Sequence, residues 1–274
     1  MNPLLPDSTP TNPPLPLPRL IPTGRARRLE GRVALVTGAG SGIGHATALR
    51  LADEGARVVA ADLHEDAANE TAELIGAQAL AVQADVTDSD AAHRMVEQTL
   101  SAFGGIDVFH NNAGLAQGAK PLAEVARSEW DVLIAVNLTA FFIGAQAVAP
   151  AMRERGGGSI IVTASTAAVH PRTGLSAYAA AKSGVLGLTR ALALELAVHR
   201  IRVNAINPVA VKTPMLREFK LADEDVLMER MAATIPLGAA IDAEDVAAAV
   251  AYLASDDARY VTGIALNVDG GRDL

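Results

Sequence analysis

From Leu29 onward the chain alternates compact apolar runs with longer stretches of helical period. Residues 32–37 are β-prone and end at a glycine-rich turn. Residues 42–54 then place Ile43, Ala46, Leu49 and Leu51 at helical spacing. Further strands are predicted over 57–62, 80–84, 106–110, 159–163, 201–206 and 265–268. Between them fall a polar helix ending at 75 and helices over 89–103, about 128–155 and 176–198. A last helix, capped by Asp242 with Glu244 and Asp245 in its first turn, runs through Leu253. Repeated alternation of strand and helix predicts a doubly wound α/β chain of Rossmann type. The expected sheet is seven-stranded and mostly parallel, with helices on both faces. No tandem repeat or internal linker interrupts it, so 29–274 is read as one domain.

Composition narrows the core. Half of the residues are hydrophobic but only 3% are aromatic, so close packing falls to Ala, Val, Leu and Ile, which suits a sheet covered on both sides. A net charge of −8 gives no basic footprint for nucleic acid or an anionic membrane. The absence of cysteine excludes disulfides, thiolate nucleophiles and Cys-ligated metals. No metal is expected. Residues 132–152 carry no charge and are long enough to cross a bilayer, but Asn137, Thr139, Gln146 and Pro150 argue for a buried helix or a subunit contact. Residues 1–28 hold eight prolines and are expected to form a disordered arm. They lack the basic start and apolar run of a secretory signal, so a cytoplasmic protein is expected.

The turn after the first strand reads Thr37-Gly-Ala-Gly-Ser-Gly-Ile-Gly44 and opens a helix. Glycines there let the backbone approach a pyrophosphate lying on the helix N-terminus. The spacing Gly38-x3-Gly42-x-Gly44 departs from G-x-G-x-x-G, so position between strand and helix carries the inference. Asp62 ends the second strand. A carboxylate there accepts hydrogen bonds from an adenosine ribose and repels a 2′-phosphate, and Leu63, His64, Glu65 and Asp66 follow without a cation. Ser41 occupies the loop position where a basic residue would meet that phosphate. NAD is therefore preferred over NADP. Asp85 and Val86, after the third strand, are placed for the adenine. Asn111-Asn-Ala-Gly114, after the fourth, brings Asn112, Ala113 and Gly114 to the same end of the sheet.

Tyr178 and Lys182 lie four apart on a predicted helix and share a face. Ser165 ends the fifth strand. A phenol with a pKa near 10 is a poor base at neutrality; an adjacent ammonium and a cationic nicotinamide lower it. A serine hydroxyl can hold a substrate oxygen as charge develops.

With these motifs in this order, together with Asn137 and the tail Thr262-Gly-Ile-Ala-Leu-Asn-Val-Asp-Gly-Gly271, the chain resembles the short-chain dehydrogenase/reductase family over essentially all of 29–274. The resemblance implies that Tyr178 is the general acid/base and that Lys182 binds the nicotinamide ribose and lowers the tyrosine pKa. Ser165 would position the substrate oxygen, and Asn137 would hold a water linking Lys182 to solvent. Ile43, Leu63, Pro208, Val211 and Thr213 are implied as further cofactor contacts. One departure stands out: Pro208 is followed by Val209 where the family commonly has glycine, and a β-branched residue resists positive φ.

The implied activity is NAD-dependent interconversion of a secondary alcohol and a ketone, on a small or medium apolar substrate. The alternatives are reduction of a 3-oxoacyl thioester and a non-catalytic scaffold, the latter disfavoured by the complete Ser165, Tyr178 and Lys182 set. Residues 215–235 mix Leu216, Phe219, Leu221 and Leu227 with charges, a pattern that fits a lid or equally a plain amphipathic surface helix. Gln117, His170 and Pro171 fall on loops near the active end, where a surface position is the default. The two long helices, 128–155 and 176–198, are expected to make the contacts of a homotetramer.

Overall fold

A computed structural model describes residues 27–219, 228, 232–238 and 240–274. The proline-rich arm before Arg27 and most of the candidate lid, from Lys220 to Met231 apart from Met228, lie outside the described residues.

Seven strands form a single parallel sheet: β1 (Val33–Thr37), β2 (Arg57–Asp62), β3 (Ala79–Gln83), β4 (Val108–Asn111), β5 (Gly158–Thr163), β6 (Ile201–Pro208) and β7 (Ala265–Val268). Their order, β3-β2-β1-β4-β5-β6-β7, reverses direction between β1 and β4. At such a switch point the connections leave to opposite sides and open a crevice at the carboxyl ends of the strands. Among the described residues the α-helices are α1 (Gly42–Asp53), α2 (Glu65–Ile75), α3 (Ser89–Phe103), α4 (Arg127–Ile134), α5 (Ala140–Arg155), α6 (Ser176–Leu196), α7 (Pro214–Glu218) and α8 (Ala243–Ala254).

Strand periodicity sorts the core into two layers. Ala34, Val36, Val58, Ala60, Val108, Ile161 and Ile206 pack with Leu51 of α1 and with Val246 and Val250 of α8. Their neighbours in sequence, Leu35, Val59, Phe109, Ile160, Val162 and Ala205, pack on the other face with Met95 of α3, Phe141 and Met152 of α5, and Val185 of α6. Small residues let the helices lie close to the sheet: a Cβ on Gly144 of α5 would come within 2.7 Å of the Phe109 ring.

The expected helix over 128–155 is not one uniform spiral. α4 and α5 are joined by a π-helical turn over Ala135–Thr139, which holds Asn137. The whole run Arg127–Arg155 is long and apolar enough to cross a membrane by length and composition, yet Phe141, Ala145, Val148 and Met152 face the sheet. α8 has the anticipated start: a capping box pairs Asp242 with Asp245.

Candidate active site

β1 ends at Thr37, and the chain turns at Gly38 with φ +63°, a conformation that disfavours any side chain. At Gly44, six residues on, space is the constraint. A Cβ there would overlap the Gly38 carbonyl oxygen and sit 2.6 Å from Asn112 Nδ2. The loop is thus folded tightly onto the start of α1. The Ser41 hydroxyl makes no capping bond to that helix. The Asp62 carboxylate is fixed over the loop: Gly40 N–H donates to Oδ2 at 2.9 Å and His64 N–H donates to Oδ1 at 3.0 Å. A bare backbone turn at a helix N-terminus beside an oriented carboxylate fits a dinucleotide's pyrophosphate and adenosine ribose.

These residues border a crevice of about 630 Å³ at the carboxyl ends of the strands. Among the sequence-predicted cofactor residues, Gly38, Ser41, Gly42, Ile43, Asp62 and Leu63 line its first part, with Asp85 and Val86 beside them. Asn112, Ala113, Gly114, Pro208, Val211 and Thr213 line the middle, and Ser165, Tyr178 and Lys182 the far part. Gly44 lies behind the wall, as its contacts require. Val209 also lines the crevice and does so without positive φ: among described non-glycine residues Arg200 alone has it.

The far part is built from β5, β6, α6 and the loop after β4. Tyr178 is buried in the first turns of α6, its ring edge-on to Phe219 at 5.2 Å between centroids. Ser165 lines the crevice with Tyr178, and its hydroxyl accepts from Ala167 N–H at 3.1 Å. Lys182, one helical turn on, is buried; its Nζ donates to the Thr163 carbonyl at 2.8 Å and lies 5.8 Å from the centre of the Tyr178 ring. Asn137 is brought to the same place but does not line the crevice. Its amide closes a pair of bonds with Leu115, Nδ2 donating to the carbonyl at 3.0 Å and Oδ1 accepting from N–H at 3.1 Å.

Burial opposes the lowering of the Tyr178 pKa expected from cationic neighbours. The Tyr178 pKa is raised, chiefly by burial, with the Ser165 side chain pulling it partly back. Burial also lowers Lys182, to about 8. Both shifts follow from one cause, since a water-poor setting disfavours either charge. At pH 7 the phenol stays protonated, while a lysine with a pKa of about 8 is still largely ammonium.

One loop residue departs from its expected surface position. Gln117 is fully buried, and its Oε1 accepts from the Tyr178 backbone N–H at 3.0 Å, capping α6 from a loop 61 residues away. Only its loop position gave any signal. His170 is exposed and bonded to Asp273, and neither it nor Pro171 lines the crevice. Arg172 does, together with Leu175, Met215 and Phe219.

A family model described as "Enoyl-(Acyl carrier protein) reductase" matches residues 38–273. The 3-oxoacyl-[acyl-carrier-protein] reductase FabG of Thermotoga maritima is 40% identical over 247 residues, 89% of this chain and 98% of that protein. Cyclohexanol dehydrogenase of an Acinetobacter species is 40% identical over 248 residues, 89% of this chain and 96% of that protein. A crystal structure of 3-ketoacyl-(acyl-carrier-protein) reductase from Brucella melitensis, complexed with NADH, superposes with a TM-score of 0.85. It shares 40% identity, covering 90% of this chain and all of that one.

Proposed function

This chain belongs to the short-chain dehydrogenase/reductase family, and we propose that it interconverts a secondary alcohol and its ketone with NAD(H). The observation that carries this reading is the convergence of Ser165, Tyr178 and Lys182 on the crevice that the glycine turn and Asp62 enter from the other side. When bound, the dinucleotide supplies or accepts a hydride at its nicotinamide C4.

The chain's own part is orientation and proton transfer. Ser165 holds the substrate oxygen, and the Tyr178 hydroxyl gives that oxygen a proton or takes one from it. Because burial holds the phenol high, its ionisation depends on positive charge beside it, which Lys182 provides when protonated. Asn137, anchored on Leu115, holds the water through which Lys182 exchanges protons with solvent. Leu115, Val132, Leu175 and Phe219 make the substrate end largely apolar, which favours a compact hydrocarbon-bearing alcohol such as the one in the name of the Acinetobacter relative.

The name of the Thermotoga relative favours a second reading, reduction of a 3-oxoacyl thioester. Cofactor preference does not separate the two, because the Brucella reductase was crystallised with NADH. Direct assay does. Alicyclic alcohols with NAD, followed by absorbance of the reduced cofactor, are expected to give the higher kcat/KM. An acetoacetyl thioester with NADH turned over a hundredfold better would replace the first reading by the second.

Preference for NAD rests on Asp62. Removing a fixed carboxylate that faces a 2′-phosphate relieves about 1–3 kcal/mol of repulsion at intermediate dielectric. Asp62→Ser is expected to lower the NAD:NADP ratio of kcat/KM by about ten- to a hundredfold; an unchanged ratio would remove this basis for the assignment. We further propose a cytoplasmic homotetramer, with the exposed Phe142 of the 127–155 run and Leu194 of α6 as subunit contacts. A light-scattering mass equal to one chain would contradict it.

A further inference from the structure

His110 stands inside β4, wholly buried, and takes no part in the chemistry above. Its Nε2 lies 2.9 Å from Thr163 Oγ1, which lies 3.1 Å from Asn112 Oδ1. Hydrogen-bond stoichiometry fixes the direction of this chain. Asn112 Nδ2 donates to the carbonyls of Thr37 at 3.1 Å and Gly38 at 3.3 Å, so its other amide atom is the accepting oxygen. The single hydroxyl proton of Thr163 must therefore go to Asn112. Thr163 then accepts from histidine, so Nε2 carries the ring proton and Nδ1 is left as a buried acceptor without a partner among the described residues.

We infer that His110 is a positioning residue for the dinucleotide, acting through Thr163 and Asn112 to fix the Thr37 and Gly38 carbonyls that shape the glycine turn. This rests on the reading of that turn as the pyrophosphate site. The relay ends where space is tightest, since the Asn112 amide also abuts the position a Gly44 Cβ would take. Stability alone does not account for the histidine. An apolar side chain would fill the slot without an unpaired Nδ1, which costs the fold free energy where it stands. Nor is His110 a pH switch: burial holds its pKa at about 3, so it remains a neutral N–H donor across the working range. Thr163 also accepts from Lys182 through its backbone carbonyl, but β5 sets that group, so the effect of His110 falls on cofactor affinity rather than on turnover.

NADH fluorescence titration tests this without any substrate. His110→Leu is expected to weaken NADH binding three- to tenfold while its melting temperature is unchanged or higher. His110→Gln, which restores an N–H donor, should stay within twofold of the parent affinity. At saturating cofactor the Leu variant should keep kcat within twofold. Equal affinity in the Leu variant and the parent would overturn the inference, as would equal losses in the Leu and Gln variants, the mark of packing alone. If the Leu variant fails to fold, Thr163→Val decides by the same titration: a threefold or greater loss supports the relay and no loss ends it. A parent protein that bound neither NADH nor NADPH would instead remove the cofactor reading itself.

Discussion

Tyr178→Phe is expected to lower kcat/KM by about a thousandfold, within the range general acid/base catalysis contributes, while NADH affinity stays within twofold. The substitution removes one oxygen from a ring that is already buried and packed edge-on against Phe219. It leaves the Tyr178 N–H bond to Gln117 untouched. Position and packing therefore persist and only the proton donor is lost. Steady-state rates alongside a fluorescence titration of NADH check both halves. Retention of a tenth or more of the parent activity would show that another group moves the proton.

Lys182→Met is expected to separate activity from stability. Turnover should fall by a hundredfold or more, since the variant cannot supply positive charge to the phenol. The folded protein should nevertheless be more stable at neutral pH. Burial lowers Lys182 from 10.5 to about 8, equivalent to roughly 3 kcal/mol of penalty on the charged form. Losing the bond to the Thr163 carbonyl returns about 1 kcal/mol of that. The sign follows from proton binding. Between pH 8 and 10.5 the unfolded chain holds more protons at this site than the folded one, so the parent gains stability as pH rises through that window. The advantage of the Met variant should be full below pH 8 and fade towards 10.5. Denaturant unfolding at pH 7 and pH 10 measures it; a variant less stable than the parent at pH 7 would refute the burial argument.

Much of the fold was legible because its signals are local. β2, α3 and β7 occupy the residues their periodicity marks out, and the glycine turn falls between β1 and α1. The parallel sheet then brings residues at the ends of β1, β2, β4 and β5 to one crevice, so Gly38, Asp62, Asn112 and Ser165 line it together although no sequence pattern links them. What stayed hidden depends on distance in the chain. Gln117 looks like a surface loop residue because nothing nearby marks it as the cap of a helix starting at Ser176. The π-helical turn left no trace in the apolar pattern, which continues through it. The burial that raises the Tyr178 pKa is hidden because charges can be read from a sequence but the exclusion of water cannot. Asn137 was singled out by family likeness alone; from composition it is one more amide in a helix.

The turn over Ala135–Thr139 has a consequence for how the 127–155 run can change. A spiral of 3.6 residues per turn rotates about 100° with each residue, so one surplus residue re-indexes every side chain upstream of it against those downstream. Val132 and Phe142 therefore sit in separate angular frames, each free to suit its own surroundings. A one-residue deletion between them would merge the frames and pull the carboxamide at 137 off the Leu115 backbone. Length in this stretch is thus as constrained as identity: it accepts exchanges of side chain far more readily than any change in count.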